Sequence, residues 1–457
     1  MTPQLIYNHS IEDSDIHNLC EDLVQYSDIA PKYYERFDVK RGLRNADGSG
    51  VIAGITRICM VHGYVMSEGE RQPIPGQLIY RGYDINDLIE NAEREDRYVF
   101  EEVAYLLLFG RLPNGADLER MTRSLGVRRE LPPGFLVDSI MQSPSNNIMN
   151  KLARSVLSLY SYSDVTENTT IEDEMSIALD LIAKMPILMD GAYQAKRHKY
   201  DNASLIMHPL RPEENTAESI LSLIRNDRSY TKAEAQLLDT LLALHADHGG
   251  GNNSTFACRV ATSSGTDPFA AYTSAINSLK GPRHGGANIK VIQMLDDIKA
   301  HVAHWENEGE VADYLTKILR KEANDGSGLI YGMGHAVYSI SDPRADIFKG
   351  FVKKLAKEKG HEAEYGLYEK VEHLAPEIIG EKRKMYKGVN ANVDFYSGLV
   401  YSMLDLPPAL YTPIFAAARI VGWSAHRLEE LKNVDKIIRP AYKPLAPYRD
   451  YIKLDDR

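Results

Sequence analysis

Cysteine is scarce in this chain of 457 residues: Cys20, Cys59 and Cys258 lie far apart and form no CxxC pair. That excludes a disulfide framework and a cysteine zinc site, and it suits a reducing compartment. Long hydrophobic runs are also missing. Those such as Tyr105 to Phe109 fall far short of the ~20 residues that span a bilayer. The start, MTPQLIYNHSIEDSD, lacks the basic and apolar stretches of a secretory signal, so a cytoplasmic location is expected. Nor is there an excess of positive charge: 53 Lys plus Arg against 64 Asp plus Glu leave −11 with His neutral. This disfavours a nucleic-acid or anionic-membrane surface, but not a local basic pocket for an anion. The rest, 44% hydrophobic and 26% charged, is the composition of a folded globular protein.

Residues 1–50 are polar and close on the loop Arg44-Asn-Ala-Asp-Gly-Ser-Gly50, which reads as an N-terminal extension. From Val51 to Tyr80, β-branched residues broken by Gly and Pro predict short strands and turns. Beyond Asp84 the pattern is helical. Phe100–Phe109 places apolar residues at i, i+3 and i+4 and stops at Gly110. Thr231-Lys-Ala-Glu234 is a capping box opening a helix that runs through LLDTLLALHADH to Gly249. Asp267-Pro268 and Thr412-Pro413 each supply an N-cap and an N1 proline. The predicted fold is mainly α, with a charged, Lys-rich stretch from about 290 to 390 as a smaller second domain.

Chemistry-bearing side chains are expected at helix ends and Gly-rich turns, where backbone approaches a ligand. Four segments qualify. In Leu244-His-Ala-Asp-His-Gly-Gly-Gly-Asn-Asn-Ser254, His245 and His248 continue an apolar helix face, as a substrate-binding pair, a structural cap or metal ligands; the HExxH arrangement is absent. In Lys280-Gly-Pro-Arg-His-Gly-Gly-Ala-Asn288, His284 precedes a helix N-terminus that suits an oxyanion and a neutral imidazole, or is an ordinary turn histidine. Gly326-Ser-Gly-Leu-Ile-Tyr-Gly-Met-Gly-His335 lacks the third glycine of a dinucleotide loop. His335 and Arg344 there form either a carbonyl and carboxylate clamp or part of a surface turn. In Asn390-Ala-Asn-Val-Asp-Phe-Tyr-Ser-Gly398, apolar neighbours would raise the pKa of Asp394 and make it a better base, unless it is a helix N-cap.

The sequences HADHGGGN, GPRHGGAN, GMGHAVY with DPR, and NVDFYSG together resemble the citrate synthase family in order and approximate interval. QLIYRGYDI, EEVAYLLLFGRLP, the AARIVGW helix and the IIRP tail match as well, so the resemblance runs from about Val51 to Pro440. It implies a mainly α-helical homodimer with a large domain, 51–289 and 396–457, and a small domain, 290–395, around an active-site cleft. Acetyl-CoA and oxaloacetate would condense to citryl-CoA, then hydrolyse to citrate and CoA, with no tightly bound cofactor and no metal. By position, Asp394 matches the family's base, His284 the group that stabilises the enol or enolate, and His335 the group that polarises the oxaloacetate carbonyl. His245 and His248 match oxaloacetate-site histidines, and Arg344 and Arg419 carboxylate-binding arginines. Arg439 matches the arginine that reaches the neighbouring subunit's site, and Lys387 a lysine on CoA phosphate.

Two departures, Arg283 before His284 and Met333 in GxGH, remove no proposed catalytic group. A close alternative is 2-methylcitrate synthase, using propionyl-CoA, because one methylene is worth only about 1–3 kcal/mol in a pocket. More distant ones are a His-rich metallohydrolase, given 14 histidines, and a non-catalytic binding protein.

Overall fold

The computed structural model describes residues 20–21, 27–45, 48–67, 70–164, 169–334, 337–383, 388–433 and 436–456. They fall into two compact units, Met1–Ile55 with Arg439–Arg457, and Thr56–Ile438.

In the first unit the described residues form a short helix, Lys32–Arg36, a turn at Arg41–Leu43 and a bridge between Arg44 and Gly50. The Lys443 ammonium lies 5.5 Å from the centre of the Phe37 ring.

The second unit opens with the expected strands. β1 (Cys59–Ser67) pairs antiparallel with β2 (Glu70–Tyr80), with an irregularity between His62 and Tyr64, and β2 pairs with β3 (Tyr83–Asp84). The hairpin docks through Gly76, whose N–H donates to the Ser341 carbonyl at 3.2 Å. A Cβ there would lie 2.3 Å from that carbonyl, so only glycine permits the approach.

Past β3 the unit is mainly helical. The helices with legible caps form as the sequence dictates. Phe100–Phe109 ends on Gly110 at φ 79°, Thr231 and Glu234 complete a capping box on Lys232–His245, and Asp267 caps Pro268–Leu279. Lys232–His245 stops at His245, short of the predicted end at Gly249.

The helix Tyr411–Asn433 is buried at every residue from Tyr411 to Arg427. A helix apolar nearly all round must sit in the core, and this one packs against Phe100–Phe109, Ile171–Tyr200, Lys232–His245 and Asn253–Ser263. Gly422 permits its closest approach. A Cβ there would lie 2.4 Å from the Ala246 carbonyl, to which the Gly422 N–H donates at 3.1 Å.

One cap differs from expectation. The helix starts at Tyr411, not after Thr412, and the Thr412 hydroxyl donates to the Gly285 carbonyl at 3.0 Å, tying the helix to the turn that carries His284. Among the described residues no helix is long and apolar enough to cross a membrane.

Candidate active site

Six of the residues singled out in the sequence, His245, His248, His284, Arg344, Asp394 and Arg419, lie within Thr56–Ile438. Arg419, on Tyr411–Asn433, interacts electrostatically with His245, His284, Arg344 and Asp394, while His248 and Arg344 both meet the Tyr338 ring. Arg419 on that helix donates from Nε to the His245 carbonyl at 2.6 Å, and its guanidinium lies 4.7 Å from the centre of the Phe415 ring. It is 0% exposed, and among the described residues neither terminal nitrogen has a partner. Burial lowers its pKa, with the Asp247 carboxylate acting in the opposite sense.

His245 ends its helix between two rings, with Phe415 at 4.4 Å and Phe348 at 6.1 Å between centroids. Among the described residues neither ring nitrogen is hydrogen-bonded. Burial, then Arg419 and Arg344, hold its pKa well below the usual range, so the ring is neutral. His248, half-buried, meets Tyr338 edge to face at 5.6 Å. The Tyr338 hydroxyl donates to the Gln77 carbonyl at 3.2 Å, and the Arg344 guanidinium lies 5.9 Å from the centre of the same ring.

His284 sits in the turn before Ala287–His301, whose N-cap, Gly286, offers no side chain to the first amides. The Ser254 N–H donates to Nε2 of His284 at 3.4 Å, and the Ser254 hydroxyl lies 3.0 Å from the same nitrogen. The hydroxyl is itself held by Trp423 Nε1–H at 3.2 Å and Asn252 Oδ1 at 2.8 Å. Burial, then Arg419, push the His284 pKa down to about 4. The ring is neutral, as expected, but burial and a nearby cation cause it. A neutral ring accepting at Nε2 carries its proton on Nδ1.

Asp394 is not a helix cap. Asn392 performs that task for Val393–Met403, accepting from the Asp394 N–H at 3.0 Å, and so leaves the Asp394 carboxyl available. Its Oδ1 is buried with no partner among the described residues. Burial raises its pKa to about 6, with Asp342 adding to the rise and Arg344 and Arg419 opposing it.

Arg344 is already paired. Asp342 takes Nε at 3.0 Å and one terminal nitrogen at 2.7 Å, while its own Oδ2 accepts the Val393 N–H at 3.3 Å. One buried carboxylate thus ties the arginine to the helix that carries Asp394. Burial works against the Arg344 charge, but Asp342 outweighs it and raises the pKa.

His335 and Lys387 lie outside the described residues. The segment preceding His335 is held beside Asp394: Met333 bridges Ala391, and Asn392 Nδ2 donates to the Gly334 carbonyl at 2.9 Å. Arg439 belongs to the other unit. Among the described residues no three His, Cys, Asp or Glu side chains cluster as metal ligands.

Sequence reasoning passed over Asp247, Asp342 and His426. The first two stand inside the quoted motifs, HADH and DPR. His426 follows Arg419 by seven residues, which places both on one helix face.

Known proteins share this pattern over most of the chain. The family described as citrate synthase, C-terminal domain, matches residues 46–441. A citrate synthase from Synechocystis is 32% identical over 90% of this chain and 93% of its own. A 2-methylcitrate synthase from Shewanella oneidensis is 32% identical over 80% of this chain and 87% of its own. Among solved structures, the ternary complex of carboxymethyl coenzyme A and oxaloacetate with the citrate synthase of Thermoplasma acidophilum aligns with a TM-score of 0.73 at 26% identity, covering 92% of this chain and 99% of that one.

Proposed function

The chain belongs to the citrate synthase family and is an acyl-transferring enzyme; from that premise we propose that it condenses acetyl-CoA with oxaloacetate and water to give citrate and CoA. The observation that carries the reading is Arg419, buried with both terminal nitrogens unpartnered among the described residues. A buried cation is unfavourable unless something negative completes it, and a small dianion such as oxaloacetate does so.

In this reading Arg419 and the remaining terminal nitrogen of Arg344 each bind an oxaloacetate carboxylate, and His245 and His248 line the same site. Asp394 takes a methyl proton from acetyl-CoA. With a pKa of about 6 it is mostly ionised at pH 7, yet a stronger base than an ordinary carboxylate. The thioester α-proton is very weakly acidic, so its removal needs simultaneous stabilisation of the thioester oxygen. The neutral Nδ1–H of His284 supplies that hydrogen bond. The resulting enol or enolate carbon forms its bond to the ketone carbon of oxaloacetate, whose oxygen His335 polarises and protonates, and water then cleaves the thioester to release CoA.

The small domain, 290–395, brings His335, Arg344 and Asp394 to His248, His284 and Arg419 of the large one, so closure over oxaloacetate would complete the site and exclude water. Arg439 of one protomer serves the partner's site in a homodimer, and Lys387 binds CoA phosphate. The three cysteines, of which Cys59 and Cys258 are buried and all are unbridged, suit a cytoplasmic enzyme.

Steady-state release of CoA with oxaloacetate as partner, comparing acetyl-CoA with propionyl-CoA, tests this. A higher kcat/KM for acetyl-CoA is expected. Preference for propionyl-CoA would make the chain a 2-methylcitrate synthase, a reading the relatives do not favour. Activity lost to a chelator would point to a metallohydrolase, and oxaloacetate binding without CoA release to a binding protein.

A further inference from the structure

Behind the loop that carries His245 and His248 lies a buried polar chain that the chemistry above does not use. Asp247, fully buried between the two histidines, accepts from Nε2 of His426 at 3.1 Å and from the Gly249 N–H at 3.2 Å. Nδ1 of His426 lies 2.8 Å from a terminal nitrogen of Arg259 and 3.2 Å from its Nε. Arg259 is held in turn by Glu430 at 2.5 Å and by Glu429, and Glu429 accepts the Arg57 N–H at 2.8 Å. An arginine can only donate, so Nδ1 of His426 must accept and its single proton must sit on Nε2, facing Asp247. The ring is therefore a fixed, neutral connector. The loop closes over it, since a Cβ on Gly250 would lie 3.5 Å from His426 Cε1.

We infer that His426 is a positioning residue for oxaloacetate: by bridging Asp247 to Arg259 it holds the His245–Gly250 loop, and with it the Arg419 guanidinium anchored on the His245 carbonyl, in the geometry that receives the substrate. This rests on the oxaloacetate site proposed above. The groups facing Asp247 fit a carboxylate kept ionised: His426 and Arg419 from one helix, Arg81 beyond β2, and the neutral Cys59 thiol and Tyr80 hydroxyl from the strands. Burial opposes its charge, yet the His426 Nε2–H, Arg419 and the Gly249 N–H hold its pKa below the usual carboxylate range.

His426→Gln and His426→Met separate bridging from packing. Glutamine offers an amide NH2 that can donate to Asp247 and a carbonyl oxygen that can accept from Arg259, the same two functions as the imidazole. Methionine fills similar space and offers neither. The Gln chain should keep the KM for oxaloacetate within about twofold of the parent, while the Met chain raises it at least tenfold with kcat within about threefold. Equal KM values in the two variants, or a loss confined to kcat, would overturn the inference. If the Met chain does not fold, 15N spectra of the His-labelled parent at pH 7.5 decide: a His426 ring with its proton on Nε2 is expected, and a proton on Nδ1 overturns it. A parent chain that binds no oxaloacetate by calorimetry would instead count against the proposed site.

Discussion

Replacing Asp394 by asparagine should abolish turnover and make the folded chain more stable, by an amount that depends on pH. The carboxyl is raised from 3.8 to about 6, chiefly by burial. Below pH 3.8 it is protonated in the folded and unfolded chains alike, and its charge has no effect on stability. Between 3.8 and about 6 the unfolded chain has released a proton that the folded chain retains, so stability falls as pH rises. Above that interval both states are ionised and the folded chain bears the whole difference, about 3 kcal/mol at 1.36 kcal/mol per tenfold change. Asparagine has no charge to bury. Its advantage over aspartate should be near zero at pH 4 and reach its plateau by about pH 7. For a chain of this size that is a rise in Tm of roughly 1–2 °C per kcal/mol. Parallel melts from pH 4 to 8, with CoA release measured at pH 8, check both effects. Turnover should fall by several orders of magnitude while oxaloacetate still binds. A Tm difference that does not change with pH would refute the raised pKa, and near-normal turnover would remove Asp394 from the mechanism.

Arg419→Gln removes the charge from the two donors proposed to hold an oxaloacetate carboxylate, each worth about 1.5–3 kcal/mol to an ion, so oxaloacetate affinity by calorimetry should fall on the order of 10² to 10⁴-fold. Mixing Arg439→Ala chains with His284→Ala chains should restore activity in heterodimers, because one of their two sites then holds both intact residues; heterodimers without recovery would place Arg439 in its own chain's site or in none. Gly422→Ala, whose new Cβ would meet the Ala246 carbonyl at 2.4 Å, should lower stability in urea by about 1–3 kcal/mol and raise the KM for oxaloacetate, since the backbone that must move carries His245. By linkage, oxaloacetate should tighten binding of a non-reactive acetyl-CoA analogue, and the analogue should tighten oxaloacetate by the same factor; calorimetry in both orders of addition would expose a failure of the two halves to communicate.

Features settled within a few residues of one another were legible in the chain alone. The capping box at Thr231 and Glu234, the Asp267-Pro268 start and the Gly110 stop are satisfied by groups one turn away, so each could be read locally and each formed. The segments bearing His245, His284, Arg344 and Asp394 were legible for a similar reason, as polar groups set beside helix ends and glycines, whereas Arg419, inside the helix Tyr411–Asn433, was picked out only by the family resemblance. Their chemical states depended on groups far along the chain. Thr412 looked like a cap but bonds to Gly285, 127 residues earlier. Asp394 could have been a cap until Asn392 took that place. Two arginines of similar promise parted company, Arg344 paired by Asp342 and Arg419 buried with its terminal nitrogens unpartnered among the described residues. His426, an unremarked histidine in an apolar helix, gained its connector role only because Asp247 and Arg259 fold onto opposite sides of its ring. Caps and turns are decided by the nearest amides, whereas burial, ion pairing and the tautomer of a ring are set through space by segments that only tertiary packing brings together.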